Sequence, residues 1–188
     1  MKFEDGVTRE VATTWDDLWK LYHDKFQQPD PLWVFRGLTK FDSKLETTLE
    51  RAAKRFGVDF TDLPNLEDGL LRHFKRQAHR YLTHLPQADD PIQWLALMRH
   101  YGAPTRLMDW TFSFFVAVYF AVEEAKDACA VWALDLNWLR KRAEGRFPGE
   151  VKKIKERDPH LKGEEFFNCV FKGQPPLDLV YSLSWVSA

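Results

Sequence analysis

Cysteine is almost missing from this chain: its 188 residues include two, Cys129 and Cys169. They stand far apart and in no metal-ligand spacing, which excludes a disulfide framework and a cysteine-rich zinc site. They read as reduced, buried thiols of a cytoplasmic protein. A long apolar run is missing too. The longest, Phe114 to Val122, is less than half the roughly 20 residues that a membrane span requires, so it is expected in the core and no membrane partner is expected. The first residues, MKFEDGVTRE, hold no apolar stretch of the kind a secretory signal needs. Charge of one sign is also lacking. Basic residues number 27 against 28 acidic, so no overall field draws the chain to nucleic acid or an anionic surface.

Aromatic residues are what the chain has in plenty: 15 Phe, 8 Trp and 5 Tyr. Such bulk favours packed layers, and the length suits one domain over residues 1–188. Thr14 with Asp17 predicts a helix start, followed by a stripe of Trp15, Leu18, Trp19, Tyr22 and Phe26. QQPDP (27–31) breaks it. WVF (33–35) is β-prone and is expected to end at Arg36 and Gly37. Ser43 and Glu46 fit a capping box for a helix bearing Leu45, Leu49, Ala52 and Phe56, closed by Gly57. A further helix is expected from Asn65, with Leu66, Leu70, Phe74, Ala78 and Tyr81 inward. Asp90 caps another, with Pro91 first and Gln93 third; Trp94, Leu97, Met98 and Tyr101 line it and Gly102 stops it. An apolar helix near 113–125 and a buried strand within ACAVWALDL (128–136) follow. The charged stretches RKR (140–142) and KKIKER (152–157) read as solvated faces, because no aromatics interleave with them. Together these elements predict an α+β fold with a small mixed sheet covered by helices. The terminal PPLDLVYSLSWVSA alternates like a strand that stops short, so a C-terminal element is expected to be missing.

The common chemical signatures are absent. No GxGxxG follows a strand, and there is no Walker loop, HExxH or GxSxG elbow. His79 and His84 are too loose a pair for zinc, so no metal is expected. What remains is concentrated. Arg36 ends an apolar strand, where its planar fork suits a phosphate or carboxylate. Gly37 beside it would let a ligand approach the backbone. The alternative for Arg36 is a structural ion pair with Asp109. The second cluster gathers His100, Tyr101, Thr105, Arg106, Asp109, Trp110 and Thr111 between two core helices, a usual place for a site. Structural readings stand beside the functional one: Asp109 or Thr111 as a helix cap, Arg106 paired with Asp109, His100 bonded to a carbonyl. Arg36 and residues 105–111 are expected to line one concavity. Asp109 is expected to be at least half buried against Arg36 or Arg106.

These residues carry a resemblance. WVFRG, LLRHFKRQAHRYL, WLALMRHYGAPTRLMDWTFSFFVAVYFAVEE and AVWALDL together resemble the FRG domain, named for its Phe-Arg-Gly motif, over roughly residues 30–136. The resemblance implies bacterial or phage-related origin. A more distant likeness is to ADP-ribosyltransferases, in which an arginine ending a first strand holds NAD and a later Ser/Thr-bearing strand leads into an Ala-Phe-rich helix. That likeness implies NAD as substrate and a macromolecular acceptor. Arg36 would anchor its phosphates or ribose, and Thr105 and Thr111 would stand near the nicotinamide. His100 or Tyr101 would meet a ring or a ribose hydroxyl. Gly37 and Arg106 complete the implied binding set, and Arg36, His100, Thr105 and Asp109 are the implied catalytic set. The chain departs from the family pattern after AVWALDL, where a Gln-Gln-Gly motif is missing. Glu164 and Glu165 are the sole candidates for the late glutamate such transferases need. Weak NAD binding with slow or no turnover is therefore expected. Two other readings stay open: a non-catalytic module recognising a nucleotide, peptide or nucleic-acid end, and a structural domain.

Overall fold

Thr14 caps the first helix as its spacing predicts: its hydroxyl accepts from the Asp17 amide, and the Asp17 carboxylate accepts from the Thr14 amide. The computed structural model describes residues 8–28 and 32–139. Helix α1 runs Trp15–Lys25, strand β1 Trp33–Leu38, α2 Thr48–Phe56 and, after a 3-10 turn at Phe60–Asp62, α3 Leu63–Ala78. Then come α4 Pro91–His100, α5 Phe114–Val122 and strand β2 Ala130–Asp135. RKR, KKIKER, Glu164, Glu165, Cys169 and the strand-like C-terminus lie outside the described residues.

The architecture is α+β. β1 and β2 pair antiparallel, with Arg36 opposite Trp132 and Gly37 opposite Val131. In antiparallel pairing one residue's N–H and C=O point to the same side, and the next residue's point to the other. Phe35 therefore exchanges both its bonds with Thr111, at 2.7 and 2.9 Å, on the edge of β1 away from β2. All pairing among the described residues is antiparallel, whereas a mixed sheet was expected. β1 also runs through Arg36 and Gly37 to Leu38 rather than stopping at them. β2 is half-buried along its length, not buried, because among the described residues β1 is its only strand partner. Cys129, just before it, is likewise partly exposed.

Alternation along β1 divides the interior. Phe35 faces α5, where it packs with Phe114, Ala117 and Val118, and Leu18 and Tyr22 of α1, with Phe26 just past its end, join the same cluster. The rings of Phe26 and Phe114 meet Phe35 edge-on at 5.1 and 5.4 Å. α5 buries only one side: Val116, Tyr119, Phe120 and Val122 are exposed, so the apolar run is less of a core element than its composition predicts. Two further clusters join the other helices. Leu95, Ala96, Met98 and Leu107 pack with Leu70, Leu71 and Phe74, while Leu49, Ala53 and Leu63 pack with Leu66 and Leu70.

Several boundaries move. The box that starts α2 is Thr47 with Glu50, four residues beyond the expected Ser43 and Glu46. Both pairs have the right spacing, but Thr47 places the Leu49 amide against the Thr105 carbonyl at 3.1 Å. Glu46 binds Lys54 instead. Gly57 closes α2 at φ 67° and Gly102 ends α4 at φ 77°, both as expected. α3 begins at Leu63 with Pro64 in its first turn and ends at Ala78, which leaves Tyr81 exposed beyond it. Tyr101, past the end of α4, is also exposed.

Candidate functional site

Residues 103–111 have almost no regular structure, yet they dock on several different elements. Thr105 holds the start of α2: its amide donates to the Thr48 hydroxyl at 2.9 Å, and its carbonyl accepts from that hydroxyl at 3.0 Å. Arg106 reaches α3, where its amide and guanidinium both bind the Glu67 carboxylate. Leu107 enters the α3–α4 core. Asp109 meets α4 and β1, Thr111 bridges Phe35, and the Ser113 hydroxyl caps α5. The segment is a hub that stitches four elements together.

Several expected site residues are consumed by that work. Thr105 is 0% exposed, so it presents no surface to a ligand, and its hydroxyl has no hydrogen-bond partner among the described residues. Arg106 and Glu67 have side chains only 6% and 3% exposed and form a buried ion pair, not the expected pair of Arg106 with Asp109. Burial raises the Glu67 pKa from its ordinary value, while the charge and hydrogen bonds of Arg106 oppose the rise. Gly37 does not open the backbone to a ligand. A β-carbon there would stand 2.1 Å from the Ala117 carbonyl oxygen, so its bare Cα is what lets α5 lie on the strand. The Thr111 hydroxyl accepts from the Ser113 amide at 3.1 Å. His100 is exposed and packs edge-on against Tyr101 at 5.2 Å.

What is left is a cluster of charge around Arg36. Alternation sends its side chain to the face of β1 away from α5. Nη1 donates to the backbone carbonyl of Asp109 at 2.6 Å, so the structure brings together the two stretches that the sequence singled out. The Asp109 carboxylate goes elsewhere, to Arg99 at the end of α4, with Nε at 2.6 Å and Nη2 on the second oxygen. Its side chain is 70% exposed while that of Arg99 is 18% exposed. This corrects the expectation of a half-buried Asp109 paired with Arg36 or Arg106. The carboxylate lies on the rim because the neighbours that anchor the chain inward are Leu107 and Trp110.

Burial lowers the Arg36 pKa from its ordinary value; Asp109 opposes this, and the charges of Arg99 and Arg51 add to it. A guanidinium stays protonated regardless. Among the described residues, Arg36 thus feels two cations, Arg99 and Arg51, and one carboxylate, that of Asp109. Arg36 has five N–H donors, and the Asp109 carbonyl accepts from one nitrogen in the only side-chain hydrogen bond that Arg36 makes among the described residues. Arg51 donates to the Glu46 carbonyl at 2.6 Å. The excess of positive charge and of free donors suits an anion. Among the described residues no group of His, Cys, Asp and Glu could hold a metal ion, and no helix is long and apolar enough to cross a membrane.

Sequence reasoning missed Arg51, Arg99 and Glu67. Glu67 could have been found, since it falls at helical spacing on the apolar side of α3, where a carboxylate demands a cationic partner. Arg99 opens the RHYGAPTRLMDWT stretch but has no local mark that sets it apart from Arg106. Nothing in the sequence around Arg51 distinguishes it.

The family model described as the FRG domain matches residues 31–129, more than half of the chain, and the chain belongs to that family. No curated protein and no solved structure matches it.

Proposed function

We propose that this member of the FRG domain family binds the phosphate groups of a nucleotide, with Arg36 as the anchoring cation. The observation that carries the reading is the charge balance around Arg36 among the described residues: Arg36, Arg51 and Arg99 against the carboxylate of Asp109. A half-buried guanidinium with unused donors binds phosphate through short, charge-assisted bonds, each worth about 1.5–3 kcal/mol. NAD is the nucleotide that the likeness to ADP-ribosyltransferases names, and its diphosphate presents the acceptors such a cluster would grip.

The reading is recognition rather than turnover. Breaking the nicotinamide–ribose bond calls for a carboxylate aimed at the developing positive charge. Among the described residues, the carboxylate that acts on Arg36 is that of Asp109, and both of its oxygens are held by Arg99. Thr105, fully buried within the segment, adds nothing to such a step. The test is calorimetric titration of the chain with NAD and with ADP. Binding that falls ten- to a hundredfold in Arg36→Lys, which keeps the charge and loses the fork, is the expected result. Absence of binding by the parent chain to either nucleotide overturns the reading.

A further inference from the structure

Arg99 is already occupied. The Asp109 carboxylate meets it fork to fork, one oxygen on Nε and the other on Nη2, the arrangement through which a guanidinium also grips phosphate. The same residue's backbone carbonyl holds Arg36. Asp109 therefore contacts both arginines at once, Arg99 with its side chain and Arg36 with its main chain. The two attachments differ in how readily they can be given up. The carbonyl belongs to a chain pinned by the buried Leu107 and Trp110 and by the Thr111 bridge to Phe35. The carboxylate is 70% exposed and needs only a rotamer change to leave.

We propose that Asp109 is a resident counter-ion, which an incoming phosphate must displace from Arg99 in order to bind. This rests on the reading of the Arg36 cluster as a phosphate site and names its specificity-determining residue. Before binding, the carboxylate keeps the guanidinium of Arg99 paired. During binding, a phosphate takes the Arg99 fork while Arg36 and the main-chain carbonyl of Asp109 stay where they are. The displacement is a cost common to every anion. An anion that carries two or more charges over several oxygens repays it, and a monocarboxylate, which only replaces like with like, does not.

The experiment uses inorganic pyrophosphate, acetate and NAD at fixed ionic strength against the parent chain, Asp109→Asn, Arg99→Ala and Arg36→Ala. Asn keeps the shape and the main-chain carbonyl of Asp109 but cannot hold Arg99 as an ion pair. With its carboxylate 70% exposed the pair is screened by solvent, so Asp109→Asn is expected to tighten pyrophosphate and NAD alike by about two- to fivefold. Arg99→Ala is expected to weaken both by about tenfold or more, and acetate to bind none of the proteins measurably. Urea midpoints of each variant establish that it folds. As a second readout, the Arg99 Nε–H resonance of the parent chain should move on addition of pyrophosphate. Pyrophosphate binding that depends on Arg36, yet is unchanged or weaker in Asp109→Asn, overturns the displacement and leaves the phosphate site standing. Binding of pyrophosphate and NAD by none of the four proteins overturns both. NAD binding without pyrophosphate binding would assign recognition to the nucleoside parts and also defeat the displacement.

Discussion

Gly37 lies so close under α5 that the nearest approach to its absent β-carbon is the carbonyl oxygen of Ala117, at 2.1 Å. The next is the Ala121 amide nitrogen at 2.6 Å, and both are backbone atoms of the helix, which cannot turn aside as a side chain would. Gly37→Ala must therefore push α5 off β1, and with it the packing of Phe114, Ala117 and Val118 on Phe35. A loss of about 3 kcal/mol or more is expected, at the upper end of overpacking effects. Urea unfolding followed by tryptophan fluorescence measures it. A variant within about 1 kcal/mol of the parent would show that strand and helix separate easily.

The buried pair of Arg106 and Glu67 gives a prediction with a pH sign. Arg106→Leu leaves Glu67 almost fully buried without its cation, a loss of about 3–5 kcal/mol near neutrality. Burial already raises the folded-state pKa of Glu67, and Arg106 restrains that rise, so the variant's value must be higher still. For a group whose folded pKa exceeds its unfolded value, stability is fully present below the unfolded pKa, about 4.3 for Glu, and is lost as pH rises through the folded one. The deficit of Arg106→Leu should therefore be small near that acid limit and grow toward neutral pH. Adding Glu67→Leu to the variant should recover most of it. A deficit that does not vary with pH would mean that Glu67 is not the group left unpaired.

Much of this fold is legible in the sequence where local chemistry decides. Thr14 with Asp17, Asp90 with Gln93, and Gly57 and Gly102 mark helix ends because the caps act over three or four residues. Legibility fails where a distant partner decides. Ser43–Glu46 and Thr47–Glu50 satisfy the same rule, and Thr105, nearly sixty residues on, chooses between them. The site follows the same division. That Arg36 and the 99–111 stretch belong together could be argued from their density of polar groups. Which arginine takes Asp109 could not, since Arg36, Arg99 and Arg106 are chemically alike and only the docking of four elements separates their roles.

Thr105 offers a test of that division. Its hydroxyl is buried and, among the described residues, without a partner, although its amide and carbonyl both bind α2. An unsatisfied buried hydroxyl costs about 1–3 kcal/mol, and Val has the same shape without it. Thr105→Val is expected to hold or raise the melting temperature. A drop equivalent to about 1 kcal/mol or more would reveal a hydrogen bond to that hydroxyl.

Asp109 completes the contrast, because a carboxylate at the exposed rim should be cheap to lose where the buried one of Glu67 is not. Its position beside Trp110 and just before an apolar helix predicts burial and a cost of about 2–4 kcal/mol on removal, the cost of stranding half of a buried pair. With the side chain 70% exposed, solvent screens its attraction to Arg99, and exposed pairs contribute about 0–1 kcal/mol. The main-chain carbonyl that accepts from Arg36 survives substitution by Ala. Asp109→Ala should therefore shift the urea midpoint by less than about 1 kcal/mol, far less than Arg106→Leu. The comparison matters more than either value. If Asp109→Ala proves as damaging as Arg106→Leu, then Arg99 cannot tolerate the loss of its partner in a site open to water. A carboxylate that costly to remove could not serve as an exchangeable counter-ion for phosphate.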